Sequence, residues 1–106
     1  MNPRVGIKTE KNNIFIPPIS RYRKYTIKRE YGMTIDDYKN ILISQNNRCG
    51  ICGSVLIRTN IDHDHKSNKI RGILCPQCNR SLGLLYDDPD IIYRSIQWLT
   101  VKGDKL

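Results

Sequence analysis

Two short clusters, Cys49-Gly50-Ile51-Cys52 and Cys75-Pro76-Gln77-Cys78-Asn79, bracket a third, Asp62-His63-Asp64-His65, and this stretch decides the fold. All four cysteines of the chain lie in the two CxxC pairs, with 22 residues between them. A two-residue gap lets both sulfurs of a turn face one ion, and two such turns supply the four thiolates of a tetrahedral zinc site. Structural disulfides and a redox CxxC are the competing readings. Disulfides suit an oxidising compartment, and a redox motif needs no second CxxC, so zinc bound by Cys49, Cys52, Cys75 and Cys78 is the expectation. Four thiolates close the coordination sphere against water, which makes the expected zinc structural.

Between the cysteine pairs, Val55-Leu56-Ile57 suggests a short strand, Asn60 to Asp64 a second and Lys69 to Leu74 a third, with Lys66-Ser67-Asn68 turning between the last two. Cys75 followed by Pro76 reads as a helix cap with proline at the first helical position, opening a helix to about Leu85. Its first turn sets Cys78 and Asn79 roughly 100° apart, so one can face zinc and the other the hairpin. The Asp-His-Asp-His run holds both histidines of the chain, and the cysteines leave these side chains free for other work. An imidazole of ordinary pKa ~6.5 can take a proton from water, and carboxylates favour hard cations such as Mg²⁺. Together they suit phosphodiester hydrolysis; the plain alternative is a solvated hairpin tip. Strict alternation puts Asp62 and His63 on opposite faces, so a shared site requires the strand to end, bend or bulge there.

Upstream, Thr34 with Asp37 reads as a capping box, and Ile35, Tyr38, Ile41, Leu42 and Gln45 mark one face of a helix running to Asn46-Asn47. Before it, Arg21 to Tyr31 interleaves five cations with three tyrosines and meets a helix stop at Gly32, predicting a short basic helix. Residues 1 to about 19, with Pro3, Pro17 and Pro18, read as an extended or irregular arm. Downstream, Asp87-Asp88-Pro89 ends one helix and begins another, in which Ile92, Ile96 and Leu99 share a stripe beside Trp98; residues 103 to 106 are expected to fray.

Charge is uneven. The net charge is +8, and residues 1 to 30 carry eight Lys or Arg against two Glu, whereas residues 31 to 106 carry ten against eight acids. This favours a polyanionic partner, and nucleic acid fits better than membrane because no stretch is apolar enough to span or anchor. Arg21, Arg23, Lys24, Lys28 and Arg29 are the expected nucleic-acid contacts, with Arg71 beside the hairpin; packing of the basic helix against the domain, and an ordinary surface role for Arg71, are the equal alternatives. Nothing at Met1-Asn2-Pro3 resembles a signal peptide, so a reducing, cytoplasmic setting is expected.

Taken together, Cys49-x-x-Cys52, Asp62-His63-Asp64-His65, Arg71-Gly72-Ile73-Leu74-Cys75-x-x-Cys78-Asn79 and Leu82-Gly83 resemble the recombination endonuclease VII family, within the HNH nucleases, from about Tyr31 to Asp88. Tyr31-Gly32-Met33-Thr34 and the helix leading to Cys49 also resemble phage members, which implies a phage-encoded protein acting in a bacterial cell. By position, the resemblance implies that His63 is the general base, Asp62 and Asn79 hold a catalytic Mg²⁺ or similar divalent cation, and His65 contacts the scissile phosphate or binds metal. It implies 5′-phosphate and 3′-hydroxyl products. The chain departs from the family's junction resolvases at Leu82, where those carry an acidic residue, and only a short helix follows Asp88. Junction resolution and a nicking or restriction-like activity both stay open, as do a monomer and a weak homodimer. The expected architecture is α+β: a basic arm and helix over residues 1–31, then a zinc-stapled ββα-metal (HNH, or His-Me finger) nuclease domain with flanking helices over residues 32–106. The rival reading is a non-catalytic zinc module that binds nucleic acid.

Overall fold

The computed structural model describes residues 18–102 and the strand segments Ile7–Lys8 (β1) and Phe15–Ile16 (β2), which pair antiparallel. The rest of the expected irregular arm, and the fraying expected at residues 103–106, lie outside the described residues. Helix α1 (Arg21–Tyr31) starts at Ser20, whose hydroxyl accepts the Arg23 N–H at 3.0 Å, and stops at Gly32, whose φ of 64° continues no right-handed helix. Its inward face buries Thr26 and Ile27. The expected capping box opens α2 (Ile35–Ser44): the Asp37 N–H donates to Thr34 Oγ1 at 3.0 Å, and the Thr34 N–H donates to the Asp37 carboxylate at 3.1 Å. Tyr38 and Leu42 carry the buried face of this helix.

Asn46 and Asn47, both in the left-handed region, then reverse the chain into the first cysteine turn. Here one expectation fails. Val55-Leu56-Ile57 is no strand: Val55 makes a single antiparallel bridge with Arg48, Leu56 is buried and Ile57 is 74% exposed. The Cys49 N–H bonds the Ser54 carbonyl and the Leu56 N–H bonds the Asn47 carbonyl, so this segment is spent closing the cysteine turn and has no second strand to join.

The hairpin forms as expected from β3 (Asn60–His63) and β4 (Ile70–Leu74), antiparallel, with Ile61 opposite Ile73. Asp64 leaves the strand because its carboxylate accepts the Lys66 and Ser67 N–H groups at 2.7 and 3.1 Å, forming the turn. These N–H bonds also hold the Asp64 pKa below the ordinary carboxylate value. Helix α3 (Pro76–Leu84) follows with Cys75 as its cap. Ile27, Leu42, Leu56 and Ile73 form the fully buried centre, so α1, α2, the cysteine turn and the hairpin share one core.

Helix α4 (Pro89–Gln97) runs into a π-helical turn, Trp98–Lys102, and does not close that core. Ile96, Trp98 and Leu99 are 52%, 65% and 72% exposed. The apolar stripe is present, but periodicity states which face a helix would bury and not what lies opposite it.

Gln45, at the end of α2, clips the hairpin in place. Its Oε1 accepts the Ile73 N–H at 3.0 Å, while Nε2 donates to the Ile73 and Arg48 carbonyls, both at 2.8 Å. Gly72 lies beneath this clip with φ +154°, and a Cβ there would sit 2.9 Å from Gln45 Oε1. Gly72→Ala is therefore expected to destabilise the zinc-loaded chain by about 1–3 kcal/mol, through strained backbone and a displaced glutamine. An unchanged urea midpoint would refute this account of the glycine.

Candidate active site

The four cysteine sulfurs lie within 4.8 Å of one another, and no other such group of three or more His, Cys, Asp or Glu occurs among the described residues. Tetrahedral zinc at ~2.3 Å from each sulfur places sulfurs ~3.8 Å apart, and the Cys52 and Cys75 sulfurs are 4.0 Å apart, so the donor set fits zinc. Disulfide sulfurs stand only ~2.05 Å apart, and all four cysteines are free. Burial pushes Cys49 up, yet the backbone N–H groups of Cys75, Cys52 and Ile51 outweigh it and bring the thiol down to about 6. Burial and the neighbouring sulfurs push Cys78 up to about 12. Hydrogen bonds from Ser54 hold the Cys52 thiol below its ordinary value as well, and a bound metal requires its cysteine ligands as thiolates.

The second pair of cysteines is also the start of α3. Cys75 Sγ accepts the Cys78 N–H at 3.4 Å, and the Asn79 N–H bonds the Cys75 carbonyl at 3.0 Å. Cys78 thus joins the sulfur cluster while the adjacent Asn79 lines a cavity of about 310 Å³ against the hairpin. Asp62, His63 and His65 line the same cavity, so the structure brings together all four residues singled out for catalysis.

The strand irregularity required by the sequence is present. Asp62 pairs with Gly72 but His63 pairs with Ile70, which leaves Arg71 as the extra residue of a bulge in β4. The register thus breaks between Asp62 and His63, and both residues line the cavity. The His63 ring stands 4.8 Å from that of His65, and Tyr31 meets it edge-on at 5.6 Å. In the sequence Tyr31 stands out as a residue of the basic helix and of the Tyr31-Gly32-Met33-Thr34 run, and neither sets it beside a histidine. A signal existed: it is the last residue of α1, on the inward side with Ile27.

Arg71 does not stand free. Its Nε and Nη2 donate to the two Asp62 carboxylate oxygens at 2.7 and 3.1 Å, and Nη2 also donates to Asp87 at 3.1 and 3.2 Å. These bonds, Asp62's first, hold the arginine pKa above its ordinary value. Nη1 has no partner among the described residues. Asp62 and Asn79 offer hard oxygen donors to the cavity, a two-residue set that suits Mg²⁺, which keeps several of its positions for water and phosphate. Of the basic helix, Arg23 lines the cavity and lies 5.8 Å over the Tyr38 ring, whereas Arg29 pairs with Glu30 at 3.0 Å. Arg21, Lys24 and Lys28 are exposed.

The sequence pattern of the family described as recombination endonuclease VII matches residues 24–101, well over half of the chain. The Gene 59 protein of Mycobacterium phage L5 is 40% identical over 73 residues, covering 65% of this chain and 44% of that protein. The Gene 59 protein of Mycobacterium phage D29 is 38% identical over 73 residues, with the same coverage of 65% and 44%. The chain therefore spans less than half the length of these relatives. No solved structure matches. No helix among the described residues is long and apolar enough to cross a membrane.

Proposed function

We propose a metal-dependent DNA endonuclease of the HNH type, since this chain belongs to the recombination endonuclease VII family. The observation that carries the reading is the single cavity lined by Asp62, His63, His65 and Asn79 beside the four-sulfur cluster. When bound by Asp62 and Asn79, Mg²⁺ would neutralise charge on the phosphate and on the departing 3′ oxygen. His63 takes the proton of the attacking water as its oxygen bonds to phosphorus and the P–O3′ bond breaks. Tyr31 restrains the imidazole from its edge. His65, next to His63, contacts the phosphate, and Nη1 of Arg71, without a partner among the described residues, offers it two further N–H groups. The cysteine cluster holds structural zinc and thereby fixes Asn79.

Purified chain incubated with supercoiled plasmid should nick or linearise it with Mg²⁺ and leave it intact without. A chain inert under every divalent cation would favour the non-catalytic zinc module. A survey over linear, nicked, branched and single-stranded DNA assigns the substrate shape, junctions included. Binding should be strongly salt-dependent, because Arg21, Lys24 and Lys28 lie exposed at helical spacing on α1. For every phosphate that an alanine replacement leaves unneutralised, the slope of log affinity against log salt should flatten by about 0.9 on duplex DNA. Anisotropy titrations with the triple variant check this, and an unaltered slope would remove the helix from the interface.

A further inference from the structure

The ion pairs around Arg71 place two acids on one cation at the edge of the cavity. Asp62 is nearly enclosed, its side chain 13% exposed, and both its oxygens are taken by the guanidinium fork. Asp87 comes from a different part of the chain, the turn after α3, and lines the same cavity. It bonds only Nη2, the nitrogen that Asp62 also uses. The fork fills one lone pair on each oxygen, and a cation that binds Asp62 on this side of the carboxylate displaces it. Asp64 also feels the Arg71 charge, but its carboxylate is committed to the Lys66 and Ser67 N–H groups of the turn, so without Asp87 the displaced guanidinium would have no hydrogen-bonded carboxylate beside an incoming positive charge.

We propose that Arg71 is a latch on the metal site, holding Asp62 when no divalent cation does, and that Asp87 is the positioning residue that retains the guanidinium once a cation displaces it. The inference rests on the nuclease reading, since it requires Asp62 to be a metal ligand. Three charges make up the device. With Asp62, Asp87 and Arg71 together the group carries one net negative charge, which attracts a divalent cation. Without Asp87, Asp62 and Arg71 form a closed neutral pair whose two charge-assisted bonds oppose metal binding. Asp87 therefore acts on the metal through Arg71, and the two residues have opposite effects on affinity. The bulge that makes Arg71 the unpaired residue of β4 is what sets its fork on Asp62.

Mn²⁺ binding to the zinc-loaded full chain, followed by electron paramagnetic resonance, tests the latch without reading activity. Asp62→Asn identifies the site by removing Mn²⁺ uptake. Asp87→Asn keeps the shape of the side chain and tolerates the φ of 53° at this position, so the backbone is preserved. It should weaken Mn²⁺ about tenfold. Arg71→Gln should tighten Mn²⁺ several-fold, and in that background Asp87→Asn should cost less than about twofold. Arg71→Lys, which keeps the charge and loses the fork, should also tighten binding and serves if Arg71→Gln fails to hold zinc. Equal losses from Asp87→Asn in both backgrounds would overturn the latch, because Asp87 would then act on the cation directly. Weaker Mn²⁺ binding in both arginine variants would overturn it as well. In either case an Asp62-dependent Mn²⁺ site leaves the nuclease reading standing, whereas Mn²⁺ uptake indifferent to Asp62→Asn overturns both.

Discussion

Stripping metal from the four-cysteine site, or replacing Cys75 by serine, is expected to unfold the chain. The core is thin: among the described residues its fully buried centre is four aliphatic side chains, and β3 and β4 form a two-stranded sheet of the kind that is marginal alone in water. Structural zinc contributes about 10 to 16 kcal/mol of apparent folding free energy in small peptides, against a typical net domain stability of about 5–15 kcal/mol. Losing one ligand need not cost the whole of this, but it breaks the tie between the first cysteine turn and the start of α3. Cys75→Ser isolates that tie. Cys75 is both a sulfur of the cluster and the cap of α3, and serine is a good helix cap, so the substitution keeps the cap and removes the thiolate. Circular dichroism and melting of chelated chain and of the variant, with zinc content alongside, check the expectation. An unchanged spectrum and melting curve after chelation would show that the fold stands without its staple. Acid should act in the same direction, because protons compete with metal for thiolates and affinity falls with pH.

The sequence was most legible where spacing is imposed by a ligand or by a cap. Two CxxC turns, Thr34 with Asp37, the stop at Gly32 and Cys75 with Pro76 each state a local geometry, and each geometry is present in the fold. An end, bend or bulge at Asp62 and His63 was legible for a chemical reason, since strict alternation puts the two side chains on opposite faces, and the bulge is what the fold shows. Its location on the opposite strand, at Arg71, was not, because register depends on the partner strand. The same limit hid the forked Arg71 bond to Asp62 and the part played by Asp87, which is 16 residues from Arg71. Val55 to Ile57 misled because an apolar run states burial without naming a pairing partner, and only Leu56 of the three is buried. The stripe on α4 misled in the same way, with periodicity intact and no core against Trp98 and Leu99.

His63→Ala is expected to abolish cleavage while leaving DNA binding, zinc content and melting temperature unchanged. The expectation separates chemistry from structure because His63 is only half-buried and lies outside the core that Ile61 and Ile73 carry next to it. The variant deletes a ring that touches Tyr31 and His65 and leaves the hairpin register and the cysteine cluster intact. A positioned general base contributes about 10²–10⁴-fold, so residual activity in that range below the parent chain assigns proton transfer to this imidazole. His65→Ala is the informative companion. If His65 contacts the phosphate, its loss weakens cleavage without altering Mn²⁺ affinity; if it binds the cation, both fall together. Asn79→Ala should instead resemble Asp62→Asn in lowering Mn²⁺ affinity, although it sits beside Cys78 in the zinc-anchored turn, so zinc content must be measured with it. Full activity in His63→Ala would sink the assignment of the base and return the histidine pair to a solvated hairpin, whatever the zinc site does.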